Sequence, residues 1–181
     1  MPVAARLTYE DLCLLPEDGK RREIIEGELF VTPSPQTPHQ KAVMRLSARL
    51  WQFVDSHKLG EVFGAPFDVV FSDFDVVEPD LLFISSARAG VLTRKNVQGA
   101  PDLVVEVLAE STARVDRSIK LKLYGKFGVQ EYWMIDPEGP SAEIYRRGKE
   151  GLDLVAKLSA EEALTSPMFP GFSVRLRELT G

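Results

Sequence analysis

The stretch PDLVVEVLAEST, from Pro101 to Thr112, constrains the fold more than any other. Leu103, Val104 and Val105 precede Glu106, and Val107 and Leu108 follow it. A short branched apolar run after a proline reads as a strand buried on both faces. A carboxylate in such a strand must be paired, bound to a cation or neutralised. Whatever holds Glu106 is therefore a central feature of the molecule.

The chain has 181 residues, enough for one domain with a real core, taken here as 1–181. A net charge of -5 argues against wide, non-specific coating of nucleic acid but leaves room for a local basic groove. Cys13 is the single cysteine, which excludes an internal disulfide and a cysteine-based zinc site and fits a reducing, cytoplasmic setting. The opening MPVAARLTYEDL lacks the apolar core of a signal peptide, and no run of about 20 apolar residues is available to cross a membrane.

Thr8 and Asp11 have capping-box spacing, so a short helix should start there and stop near Pro16. RREIIEGELFVT reads as two strands around Glu26-Gly27. The next segment is a long helix capped by Thr37, with Pro38 in its first turn and Val43, Leu46, Leu50, Phe53 and Val54 as its apolar stripe. GEVFGAPFDVVFSDFDVVEPDLLFIS reads as two strands turning at SDFD, the second with Glu78-Pro79-Asp80 in its middle as a bulge or edge. After the Glu106 strand come a helix over ARVDRSIKLKLYGKFG, two strands joined by PEGP, and a closing strand and C-terminal segment.

Period-two geometry puts Val104, Glu106 and Leu108 on one face, and Glu78, Asp80 and Leu82 on one face of the earlier strand. If the strands are neighbours, Asp80 and Glu106 converge, and two close carboxylates repel unless a cation lies between them. Mg²⁺ takes one or two carboxylates and keeps waters for substrate phosphate. In the following helix Asp116, Lys120 and Tyr124 share a face, and Val115, Ile119, Leu123 and Phe127 form the adjacent apolar stripe. That spacing sets Lys120 at the border of core and solvent, within reach of Glu106. Lys122, about 200° round the helix, is its competitor. The bland alternatives are a turn residue at Asp80, a buried Glu106–Lys120 salt bridge and an ordinary Asp116–Lys120 surface pair.

His39 opens the long helix in line with its stripe, where it either closes the helix against the core or approaches the site. Arg45 and Arg49 on that helix, and Arg114, Arg117, Lys122 and Lys126 on the later one, are either solvated or line a groove for phosphate backbone. Tyr132 and Trp133 read as core.

Together VEPDLLFI, GAPDLVVEVLAEST and DRSIKLKLYGKFGVQEYWMIDP, with LTYEDLCLLPEDGKRREIIEGELFVTPSPQTPHQ upstream and FPGFSVRLREL at the end, resemble the Uma-two family of restriction-endonuclease-like proteins, within the PD-(D/E)XK nuclease superfamily. The resemblance covers nearly the whole chain. It implies a mixed central β-sheet flanked by α-helices, with the site at one sheet edge, and Mg²⁺-dependent (or Mn²⁺-dependent) endonucleolytic hydrolysis of DNA. Asp80 matches the PD aspartate and Glu106 the acidic residue of (D/E)XK. Leu108 stands where the superfamily lysine belongs, and the family resemblance moves that lysine to the next helix, to Lys120. By the same analogy the Val107 carbonyl is a further metal ligand, and Glu23 matches an acidic position in the N-terminal block. Asp80, Glu106 and Lys120 are thus the expected catalytic set, with Glu23, His39, Asp116 and Tyr124 as auxiliary residues. The competing expectations are an inactive module that binds nucleic acid or protein on a nuclease scaffold, and a hydrolase of another phosphoester. A homodimer or higher homo-oligomer suits cutting two strands.

Overall fold

Pro79 divides the molecule. The computed structural model describes residues 5–181, so the opening MPVA, and any leader reading that rests on it, lies outside the described residues. The expected strand through Glu78-Pro79-Asp80 is instead two strands in two different sheets, β5 (Asp75–Val77) and β6 (Leu81–Ser85). The two strands expected from Gly60 to Ser85 are four, with β3 (Gly60–Gly64) and β4 (Val69–Ser72) ahead of them. A proline has no N–H for a ladder, so the sheet is left where the proline falls.

The upstream elements are α1 (Tyr9–Cys13), β1 (Arg21–Ile25), β2 (Glu28–Thr32) and α2 (Thr37–Ser56). Thr8 and Asp11 close the capping box of α1. α2 is capped one residue earlier than expected: Gln36 is the cap, without a side-chain bond, and Thr37 and Pro38 lie in the first turn. Downstream follow β7 (Val97–Gln98), β8 (Leu103–Val107), a π-helical stretch (Val115–Lys120), α3 (Leu121–Phe127), β9 (Glu131–Asp136), β10 (Ser141–Arg147), β11 (Leu152–Ser159), β12 (Ala163–Leu164), β13 (Val174–Arg175) and α4 (Leu176–Thr180).

The main sheet has the order β11-β10-β9-β8-β6-β3, antiparallel throughout except for the parallel β8–β9 pair. That pair is a strand–helix–strand crossover through α3. A second sheet has the order β2-β1-β5-β4-β7, and β12 and β13 form a separate pair. β8 is buried along its whole length. Its odd-numbered residues Leu103, Val105 and Val107 pack with Ala42, Leu46, Leu50 and Val54 of α2, and with Phe169 and Phe172 near the C-terminus. On the other face Val104, and Leu108 just beyond the strand, pack with Leu123 and Tyr124 of α3 and with Val69, Val77 and Val97 of the second sheet. Tyr132 and Trp133 lie in these two layers, both fully buried. Glu106, even-numbered, projects toward α3 and the second sheet.

Leu46 is fully buried between α2 and the main sheet. Leu46→Ala should destabilise the protein by ~2–5 kcal/mol, read by urea denaturation, because the lost side chain leaves a cavity that rigid strands cannot fill.

Candidate active site

Antiparallel register sets Leu81 opposite Val105. Two residues further along β8, Val107 would face Pro79, where the β6 ladder has ended. The Asp80 carboxylate takes over: the Val107 N–H donates to Asp80 Oδ2 at 2.8 Å. This one bond fixes Asp80 beside the C-terminal end of β8, next to Glu106. Neither β6 nor β8 is an edge strand. The expected sheet-edge position is therefore corrected: the cluster lies at strand ends, where the two sheets meet.

From the second sheet β1 contributes Arg21 and Glu23, two residues apart and so on one face. Glu23 is 2% exposed, and its carboxylate accepts the Glu78 N–H at 2.8 Å, tying β1 to the chain just before Pro79.

The helical contributions come from the π-helical stretch. Its wider turn holds Asp116, Lys120 and, on α3, Tyr124 toward the strands. Lys120 is not at the core–solvent border as its spacing predicted; it is 3% exposed. Its ammonium lies 2.9 Å from Glu106, 3.0 Å from Glu23 and 3.5 Å from Asp116. The Glu106–Lys120 salt bridge weighed as an alternative is present and buried, and the Asp116–Lys120 i, i+4 pair is buried with it. Lys122 is exposed. The Tyr124 hydroxyl donates to Glu106 at 2.8 Å. His39 Nε2 is 3.2 Å from Asp80 Oδ2, so the first turn of α2 touches the cluster. At Val107 the interaction with the cluster is made by the N–H.

Arg21 joins the cluster as well. Its Nη1 donates to Asp80 at 2.8 Å, and its Nη2 is 3.5 Å from both Glu23 and Glu106. In the sequence it lies in the charged run KRRE and looks solvated. The available signal was its parity with Glu23 on a period-two strand.

Four buried carboxylates, Glu23, Asp80, Glu106 and Asp116, thus share two cationic side chains, Arg21 and Lys120. Burial first, and then the surplus of negative charge, sets the proton affinities. Burial would raise the Asp80 pKa, but His39, Arg21 and the Val107 N–H hold it down, at about 2. Burial pushes Glu106 up to about 8; Lys120 opposes this and the charges of Asp116 and Asp80 add to it. Asp116 is also raised, chiefly by burial. Burial works against the charge of Lys120, yet Glu106, Glu23 and Asp116 raise its pKa and keep it an ammonium. The Tyr124 hydroxyl, raised by burial and by Glu106, stays a donor.

The cluster forms the floor of a groove of about 1840 Å³. One wall is apolar, with Val31, Met44 and Trp51 exposed. Eight acidic and four basic residues line the groove, so it repels a bare polyanion. Three of the arginines read either as solvated or as lining a phosphate groove are held by partners within the protein. Arg45 bonds the carbonyls of Leu179 and Gly181, Arg49 pairs with Glu178, and Arg117, on the groove wall, pairs with Glu143.

The family model described as "Putative restriction endonuclease" (Uma2) matches residues 8–177. The chain belongs to that Uma2 family. A crystal structure of a putative nuclease belonging to DUF820 from Anabaena variabilis ATCC 29413 superposes with a TM-score of 0.79, at 20% identity, covering 96% of this chain and 97% of that one. The mixed α/β fold expected from the family resemblance is therefore the fold observed. No curated protein matches the chain.

The pKa of Glu106 carries a signed prediction. From its ordinary 4.5 up to about 8, the folded state keeps a proton that the unfolded chain loses. Its stabilising contribution is present below the lower value and disappears as pH rises through the window. Asp80 acts oppositely: its contribution is present above 3.8 and is lost as pH falls toward about 2. Thermal melts of Glu106→Gln should therefore decline less with pH between 4.5 and 8 than those of the wild type, while both lose stability at low pH. Parallel curves across that window would show that Glu106 is ionised in the fold.

Proposed function

We propose that the protein is a divalent-metal-dependent endonuclease that hydrolyses phosphodiester bonds in DNA, with Mg²⁺ as the natural ion and Mn²⁺ as a substitute. The observation that carries this reading is the convergence of Asp80, Glu106 and Lys120 on the floor of an open groove.

The donor chemistry fits the ion. Among the described residues no group of three or more histidine, cysteine or acidic side chains is arranged around one metal position. Mg²⁺ does not need one, since it binds through one or two carboxylates and keeps its remaining waters. Asp80 and Glu106 would hold it, with the Val107 carbonyl as a backbone donor. When bound, the ion polarises a phosphoryl oxygen and lowers the pKa of a coordinated water.

The residues divide the remaining work. Asp80 is ionised across the physiological range and is a standing anionic donor. Glu106, which holds its proton up to about 8, would have to give it up to hold a cation, so binding the ion should release protons. Lys120 remains an ammonium and is unsuited to act as a base; its part is to stabilise charge that develops on the phosphate. Glu23, Asp116 and Tyr124 position Lys120 and Glu106, and His39 orients Asp80. The acid-rich groove supports metal dependence independently, because a nucleic acid enters it more readily with cations to screen the repulsion. Two copies of the chain about a two-fold axis would present one such site to each strand.

The test is cleavage of plasmid and single-stranded DNA with Mg²⁺ or Mn²⁺. Asp80→Asn, Glu106→Gln and Lys120→Met should each lower the rate by roughly 10²-fold or more. Lys122→Met, at an exposed position, should cut like the wild type. Cleavage that survives EDTA, or that tolerates these changes, refutes the proposal. Binding of DNA without cleavage under any of these conditions would favour an inactive scaffold.

A further inference from the structure

Arg21 stands where two carboxylates would otherwise meet a metal. Its guanidinium spans Asp80 and Glu106, the two side chains assigned to the ion, with Nη1 2.8 Å from one and Nη2 3.5 Å from the other. It also reaches Glu23 at 3.5 Å.

This is a loose fit for an arginine. The guanidinium has five donors in a rigid fork, and a structural arginine in a buried site normally uses them. Here one contact is short, two are long, and the buried Nε has no hydrogen-bond partner among the described residues. Lys120 is different: it is buried by all its surroundings and touches three carboxylates. Both side chains line the groove, but that of Arg21 is 20% exposed against 4% for Lys120, so Arg21 has a way out that Lys120 lacks.

We propose that Arg21 is the counter-ion that a divalent cation displaces. In the metal-free protein it neutralises the Asp80–Glu106 pair, and it leaves that position when the ion binds. The charge balance explains why a mobile cation belongs there. Without Arg21, four carboxylates would share Lys120 alone; with both Arg21 and a divalent ion held between Asp80 and Glu106, like charges would crowd one another. The inference rests on the metal-dependent reading above.

The test measures metal binding rather than cleavage. Mn²⁺ is titrated calorimetrically into wild type and Arg21→Met, and both are melted with and without Mn²⁺. The variant should melt lower than wild type without metal. It should also bind Mn²⁺ about tenfold more tightly, or better, since a close competing charge is gone, and gain more thermal stability from it. Wild type that binds Mn²⁺ while Arg21→Met binds it no more tightly overturns the displacement and leaves the nuclease reading standing. If neither binds, the metal-dependent reading fails and this inference falls with it. Should Arg21→Met not fold, Arg21→Gln replaces it. A crystal structure of the wild type with Mn²⁺ gives a result that needs no variant. The guanidinium should have left Asp80; a metal seated beside an unmoved Asp80–Arg21 pair overturns the proposal.

Discussion

The structure depends on one ammonium. Lys120 is buried against Glu23 from one sheet, Glu106 from the other and Asp116 from its own helical turn. Each partner belongs to a different element, so the lysine can be satisfied only when both sheets and the π-helical turn are in register. Breaking such a group by removing one member leaves an uncompensated buried charge, which is strongly destabilising. Yet an ion cluster is a poor way to gain stability, because packed apolar side chains of similar volume usually do as well or better. Stability alone does not account for four carboxylates in the centre of this protein.

The position of the cluster follows from the break at Glu78–Asp80. Had β5 and β6 been one strand, Asp80 would have spent its backbone in the ladder and alternated faces with its neighbours. Because Pro79 ends the ladder, the Asp80 side chain bonds the Val107 N–H and its carboxylate lies beside Glu106. The same break leaves the Glu78 N–H free for Glu23, which draws β1 of the second sheet to the same point. A local backbone defect thus produces the convergence, and the two sheets meet where it occurs.

Much of this was legible in the chain. The buried strand around Glu106, the alternation of its faces, the α2 stripe and the pairing of β1 with β2 follow from hydrophobic period and turn residues. So does the choice of Lys120 over Lys122 as the lysine facing inward, since opposite faces of a helix separate them. Other features needed three dimensions. A helical repeat does not announce a π turn, so the depth of Lys120 was underestimated. Period-two reading carried a strand through Pro79 because apolar residues continue on both sides of it. Arg45 and Arg49 looked available for phosphate because their partners, the last residues of the chain, are distant in sequence. Arg21 is hidden in the sequence for the converse reason: a charged run at a hairpin is usually solvated, and one of its partners here, Glu106 on β8, is 85 residues away.

A second buried glutamate shows what sets Glu106 apart. Glu131, on the neighbouring strand β9, is equally inaccessible. One oxygen accepts the Trp133 indole N–H at 2.7 Å and the other the Ser166 hydroxyl at 2.8 Å, with Arg146 3.4 Å away. That carboxylate has a donor for each oxygen, and it ties the C-terminal segment to the main sheet. Glu106 has donors too, from Lys120 and Tyr124, but it shares them with a surplus of acids. A carboxylate held for packing is surrounded by enough donors to satisfy it. A carboxylate with too few donors among several acids keeps a proton instead, and the pKa of Glu106 is pushed up, to about 8, by burial and by the charges of Asp116 and Asp80.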